Sequence, residues 1–387
     1  MARWWFALAS CFVTGLGCGT DQPTTPADMG GASTSGAGAN AGGAAGVGTT
    51  AGAATAAGAG ANAGGAAGAS AAGVGTSAGS AGDSASGGNG SAGSAGAANG
   101  PDVDVTNPQL HELELDPHEL DATTADSPAL QYAQLDTRAT PLGKLVVFLP
   151  GANNVPRDWR DHGRQLASYG FHVLIPHYNN RWSTNGTCDG QGNTCNNDTR
   201  WEALVGEDKS AAVAIARADS AEGRVVTMLK HLLTAHAGGD WGFYLGANDA
   251  VLYDKMIIAG ISHGAASAGM YAIGRPFTRA VLHSSGPAGN KSDPKMTPLS
   301  EWYAFTHTED PAYDAITSAI ANFEVPGDPT SIDGASAPFG ESHRLITSAQ
   351  SSYPHGSTCA HSSSPKDSDD RYLFDTAWRY LYGVPAL

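Results

Sequence analysis

The sequence predicts an α/β fold, a doubly wound and mostly parallel sheet, preceded by a disordered Gly/Ala/Ser tether. Two observations carry that expectation. From residue 129 onward, short apolar runs rich in β-branched residues alternate with helical stretches, the pattern of βαβ units whose sheet is covered on both faces. Before that, residues 30–100 are almost entirely Gly, Ala, Ser, Thr and Asn, interrupted only by Val47, Val74 and Asp83. Such a stretch has no aromatic, Leu or Ile side chain to bury, so nothing offsets the entropy of ordering it.

The N-terminal residues 1–18 read as an export signal. Arg3 supplies the positive start, and Trp4 to Leu16 form an apolar core too short to span a bilayer. Gly17–Cys18 resembles the end of a bacterial lipobox, in which Cys18 would be lipidated and become the first mature residue; the other reading is an ordinary cleaved signal. On either reading the chain leaves the cytoplasm, as a cell-envelope lipoprotein or a secreted protein. Residues 19–102 form the disordered linker, and residues 103–387 the folded domain, a length that suits one α/β unit with a large core.

Within that domain the expected strands cover residues 129–135, 144–149, 171–176, 255–261, 279–283, 302–305 and 343–346. The expected helices cover residues 157–169, 208–216, 221–235, 263–273, 311–323 and 369–382. Export makes disulfides possible, and Cys188 and Cys195 flank a short polar loop and are expected to pair, with Cys359 left over; pairings that use Cys359 are the alternative. No CxxC spacing accompanies these cysteines, so a metal site is not expected. The loop also lacks the sixth-position Gly and twelfth-position acid of a calcium loop.

Open parallel sheets carry their active sites beyond the carboxyl ends of the strands, so the residues just after each strand matter most. After KMIIAGI comes Gly260-Ile261-Ser262-His263-Gly264, a G-x-S-x-G motif leading into a small-residue helix. A nucleophile there must sit on a sharp, strained strand-to-helix turn with its Oγ exposed. The flanking glycines let strand and helix approach closely, and the helix amides point at any negative charge that develops.

On this motif and its context, the chain from about Gln131 onward resembles the α/β-hydrolase superfamily, in particular its secreted bacterial esterase- and lipase-like members. The resemblance implies a catalytic order of Ser, acid, His. Ser262 is the implied nucleophile. Asp310, a few residues past the strand WYAF and just before Pro311, is the implied acid, with Glu309 and Asp314 as alternatives. His355, in a His-Gly pair after the strand HRLIT, is the implied base, with His361 as the alternative. The oxyanion hole would use the backbone N–H groups of His263 and Ala152; in the family the second loop commonly reads His-Gly-x, and here Pro150 stands in place of that His.

Carboxylic esters are the substrates the resemblance implies, as small-molecule or lipid-like esters cleaved through an acyl-enzyme. No cofactor is expected, since neither a dinucleotide fingerprint nor a P-loop is present. The rivals are a peptidase or amidase on the same triad and a non-catalytic, surface-displayed binding module. The formal net charge of −16 argues against nucleic-acid partners, which need clustered Lys and Arg. It also argues against anionic lipid surfaces, so a membrane is reached only through the N-terminal anchor.

Overall fold

The computed structural model describes residues 100–125 and 129–385. The expected signal peptide, Cys18 and nearly all of the linker lie outside them. The chain is already docked by Asp102, whose N–H donates to Asp240 Oδ2 at 2.8 Å.

Nine strands form one sheet: β1 (Leu110–Leu115), β2 (Gln131–Asp136), β3 (Leu145–Leu149), β4 (His172–Ile175), β5 (Met256–Ile261), β6 (Arg279–His283), β7 (Trp302–His307), β8 (Thr330–Ser331) and β9 (Arg344–Thr347). Their spatial order is β1-β2-β4-β3-β5-β6-β7-β9-β8. Only β1 with β2 and β2 with β4 pair antiparallel, and every other pairing is parallel. The helices are α1 (Pro117–Leu120), α2 (Arg160–Ala167), α3 (Gly192–Val205), α4 (Ala221–Ala235), α5 (His263–Gly274), α6 (Tyr313–Asn322), α7 (Pro354–Ser357) and α8 (Asp375–Tyr382).

Alternation along the central strands sends successive side chains into two separate cores. Leu145, Val147 and Leu149 of β3 and Ile258 of β5 face one core with Met228 and Leu229 of α4, Ala265 and Ala268 of α5, and Ile316 of α6. Val146 and Phe148 of β3 and Ile257 and Ala259 of β5 face the other with Leu166 of α2 and Trp378 and Leu381 of α8. Both faces are thus buried, as a doubly wound parallel sheet requires. The architecture is the expected α/β one, and its strand order is α/β-hydrolase-like.

Besides the short elements α1, β8 and α7, which have no counterpart among the expected ones, the local expectations differ from the structure in three larger places. Residues 208–216 are not a helix; the helix is α3, immediately upstream. The Glu202 carboxylate at the end of α3 accepts from the N–H groups of Lys209 at 3.2 Å, Ser210 at 2.8 Å and Ile215 at 2.7 Å. Those amides are satisfied by a side chain, so the segment has no need of helical bonds. Strand β1 has no counterpart among the expected elements. Its alternating Glu112 and Glu114 are held by Arg164 (Nε and Nη2, both 2.8 Å) and by Tyr132 (3.1 Å). The last helix begins only at Asp375, because the side chain of Asp367 accepts from the N–H groups of Asp369 and Arg371 and curls residues 367–371 into a turn.

Candidate active site

Strand β5 is buried along its whole length and leads directly into Ser262, which is half-buried. Ser262 has φ 55° and ψ −125°, a left-handed conformation that costs a non-glycine residue on the order of 1–3 kcal/mol. The surroundings hold it there. Its N–H donates to the His283 carbonyl at the end of β6 at 2.9 Å, and its carbonyl accepts from Ala266 at 3.0 Å. The two flanking glycines are steric necessities. A Cβ on Gly260 would lie 2.5 Å from the Gly264 backbone, and one on Gly264 would lie 2.0 Å from the Leu149 carbonyl oxygen. The turn at Ser262 therefore joins β5, α5 and the end of β3 at van der Waals limits.

The loop after β3, residues 150–154, lies against this turn. A Cβ on Gly151 would be 3.5 Å from Ser262 Cβ. Asn180, buried in the segment after β4, donates from Nδ2 to the carbonyls of both Gly151 (2.7 Å) and Asn154 (2.9 Å). Tyr178 donates to the Pro150 carbonyl at 3.3 Å. Two side chains thus clamp the loop that carries Ala152. The Ala152 N–H has no acceptor among the described residues. His263 opens α5, so its N–H is one of the four that a helix cannot bond internally.

Asp310 and His355 come together from the segments that follow the neighbouring parallel strands β7 and β9. Asp310 is buried, and its Oδ2 accepts from His355 Nδ1 at 2.6 Å. Its Oδ1 accepts from the Ala312 N–H at 2.9 Å, so one carboxylate both caps the turn before α6 and holds the imidazole. His355 sits on α7, whose far end is fixed by Trp378 Nε1 donating to the Thr358 carbonyl at 2.7 Å. Thr358 also hydrogen-bonds Ser284, directly after β6, at 2.9 Å, and His283 next to it receives the Ser262 N–H. The turn of Ser262 and the turn of His355 are therefore linked through the end of β6. Among the described residues, no hydrogen bond joins Ser262 Oγ to His355 Nε2.

The alternatives to these residues stand apart. Glu309 and Asp314 are exposed, and neither bonds His355. His361 Nδ1 pairs with Ser363 Oγ at 3.0 Å and reaches no carboxylate by hydrogen bond. His307 bonds the Ala349 carbonyl, and His343 the Trp302 carbonyl, both as parts of the fold. The His263 side chain is buried against Trp182 and Arg200, and burial followed by the Arg200 charge holds its pKa well below the ordinary range. Arg200, Trp182 and Asn180 have no place in the motif-based reading. They come from loop and helix positions whose polar composition carries no local mark of the site.

Cys188 and Cys195 form the expected disulfide, and Cys359 is free and buried. Cys359 lies with His162 and His283 in a group whose potential ligand atoms are within 4.8 Å of one another. The donor pattern does not suit a metal ion. The Ala360 N–H donates to His162 Nδ1 at 3.0 Å, so the ring proton is on Nε2, which faces Tyr382 Oη at 3.1 Å. Ligation through Nε2 would leave that ring an imidazolate, whereas a ligating His normally donates from its other nitrogen. Tyr382 Oη lies 3.0 Å from His283 Nε2, and the trio reads as a hydrogen-bonded core chain.

No family model matches the sequence, and no curated protein matches it either. Among solved structures, a protein described as a dienelactone hydrolase from Klebsiella pneumoniae subsp. pneumoniae is similar over 71% of this chain and 98% of its own, with 14% identity and a TM-score of 0.34. A likeness that distant carries no argument about chemistry. What the chain has in common with α/β-hydrolases is the fold, in its own strand order.

Proposed function

We propose that the protein is a serine hydrolase that cleaves carboxylic esters, with Ser262 as nucleophile, His355 as base and Asp310 as the acid that orients the base. One observation carries the reading: a strained serine at the mouth of a twelve-residue helix, two loops away from a buried Asp–His pair at 2.6 Å. Structural serines do not need that backbone conformation. Because Asp310 accepts from Nδ1–H, the unprotonated nitrogen of His355 is Nε2, the one a base needs.

In the proposed reaction Ser262 Oγ attacks the ester carbonyl while His355 Nε2 takes its proton. The oxyanion is met by the N–H groups of His263 and Ala152, each worth about 3 kcal/mol of transition-state stabilisation in comparable sites. His355 returns the proton to the leaving alcohol, and water then hydrolyses the acyl-enzyme by the same path reversed. We also propose export, with Cys18 as a lipid anchor; the Cys188–Cys195 disulfide suits an oxidising compartment.

A fluorophosphonate probe and p-nitrophenyl esters test the reading. Wild-type protein should label and turn over, and Ser262→Ala should lose both with its melting temperature nearly unchanged, since only a half-buried hydroxyl and no core volume is lost. Turnover retained in Ser262→Ala would sink the assignment. The missing Ser262–His355 hydrogen bond favours one other reading, a display module that keeps the fold without turnover. A wild-type protein that neither labels nor turns over would establish it. Turnover of peptides but not aryl esters would indicate the peptidase alternative.

A further inference from the structure

Arg200, on α3, is 8% exposed. Its Nη1 donates to Ser267 Oγ at 2.6 Å and to the His263 carbonyl at 3.1 Å. Its guanidinium lies 5.2 Å from the centre of the Trp182 ring. Among the described residues no carboxylate pairs with it. Burial lowers its pKa to about 10, which still leaves it charged at neutral pH. A buried charge is usually paired, because the loss of hydration is otherwise uncompensated.

The unpaired side is the informative one. In a guanidinium, Nε and Nη2 present two parallel N–H bonds matched to the two oxygens of a carboxylate. Here Nε is buried without a hydrogen-bond partner, and Nη2 makes no hydrogen bond or ion pair among the described residues. Trp182 Nε1, 3% exposed on the same wall, is a second buried donor without a partner. The amino terminus of α5 adds partial positive charge of the same sign. A cation and a helix N-terminus thus adjoin His263, the residue after Ser262, and Arg200 and Trp182, which both pack against the His263 ring, each carry a buried donor without a hydrogen-bond partner. Trp182 also lines, with Asn179, Arg181, Asn185, Thr187 and Val213, a cavity of about 370 Å³.

We propose that Arg200, with Trp182 and the first turn of α5, forms an anion-binding subsite beside Ser262 that takes a carboxylate of the substrate, so that the favoured esters are monoesters of small dicarboxylic acids. The preference for monoesters rests on the serine-hydrolase reading, whereas binding of the anion does not. The full-length protein is assayed on monomethyl and dimethyl succinate, and succinate binding is measured by calorimetry, for wild type, Arg200→Met and Arg200→Lys. Arg200→Met removes a buried charge without a carboxylate partner at similar side-chain length, and Ser267 Oγ keeps its own hydrogen bond to the His263 carbonyl at 2.9 Å, so Arg200→Met should fold. In wild type the ratio of monoester to diester kcat/KM should be high. It should fall at least about thirtyfold in Arg200→Met, the scale on which a desolvated charge pair discriminates, and recover in part in Arg200→Lys. Succinate should bind wild type saturably and Arg200→Met not at all. An equal loss on both esters would overturn the subsite, leaving Arg200 a positioning residue, and so would failure of succinate to bind wild type. If succinate binds through Arg200 but no ester is cleaved, the subsite stands and the hydrolase reading falls; if esters are cleaved without selectivity or succinate binding, the reverse holds.

Discussion

Asp310 divides one carboxylate between two tasks, with Oδ1 on the Ala312 amide and Oδ2 on His355. That sharing answers a question the sequence poses, since an Asp before Pro311 is equally suited to capping the next helix and to orienting a base. It also separates the candidate histidines. His355→Ala should lower kcat by about four orders of magnitude, the scale seen when a triad member is removed. His361→Ala, whose ring bonds only Ser363 and Ser362, should stay within a few-fold of wild type. Steady-state turnover of an aryl ester decides between them, and the reverse result would move the base onto the longer loop. At this scale the turn at Ser262 was legible because all of its constraints are local: Gly260, Ser262 and Gly264 lie within five residues of one another. Asn180, Trp182 and Arg200 were not legible. They reach the site by tertiary contact from a segment of Asn, Thr, Gly and Asp that reads locally as a loop.

Among elements, the strongly apolar ones were readable and the polar ones were not. Strands β3, β5, β6 and β7 announce themselves as runs of Val, Ile, Leu and aromatics. Helix α3 begins GNTCNND, which resembles a turn, and its position is set by the disulfide at Cys195 and by burial of Thr199, Glu202 and Leu204. Strand β1 is hidden because its glutamates are neutralised only once α2 and β2 are alongside. The segment 208–216 was misread because its Ala residues favour helix while its amides are claimed by Glu202. That claim has a measurable weight. Glu202→Ala leaves the amides of Lys209, Ser210 and Ile215 without their acceptor, and charged hydrogen bonds contribute about 1.5–3 kcal/mol each. Urea unfolding should show a loss of about 3 kcal/mol or more, with Glu202→Gln losing less. A loss below about 1 kcal/mol would mean that water substitutes for the carboxylate.

At the scale of the whole molecule, burial of neutral histidines links stability to acidity. Burial lowers His172 to about 4 and His283 to about 3, and holds His162 and His263 well below the ordinary value. In each case the unfolded chain binds a proton at a pH where the folded chain does not. Stability must therefore fall as pH drops below about 6.5, and for His172 the loss continues to about pH 4, for His283 to about pH 3. Each histidine contributes a slope of up to about 1.4 kcal/mol per pH unit in its window. Denaturant titrations at pH 7, 6, 5 and 4 should give a steep decline, and a flat profile would contradict the neutral burial of these rings. The domain's fold class and the sides of its sheet were legible for a related reason, since apolar alternation is a property of the whole chain and survives local errors of assignment.

The two-core construction has one more consequence, for the nascent chain. One face of the sheet is closed by α8, through Phe374, Ala377, Trp378, Leu381 and Tyr382, and α8 follows every other element in the order of synthesis. Until it emerges, that face is covered by α2 alone, through Leu166 and Ala167, and Val281 and Phe305 lack the side chains of the C-terminal segment that pack on them. Tyr382 is also the residue that joins His162 to His283 at the end of β6, the strand end on which the Ser262 amide rests. A ribosome-bound chain stopped short of α8 therefore leaves part of one sheet face open and lacks the support beneath the Ser262 turn, so the two arrive together, once α8 has emerged.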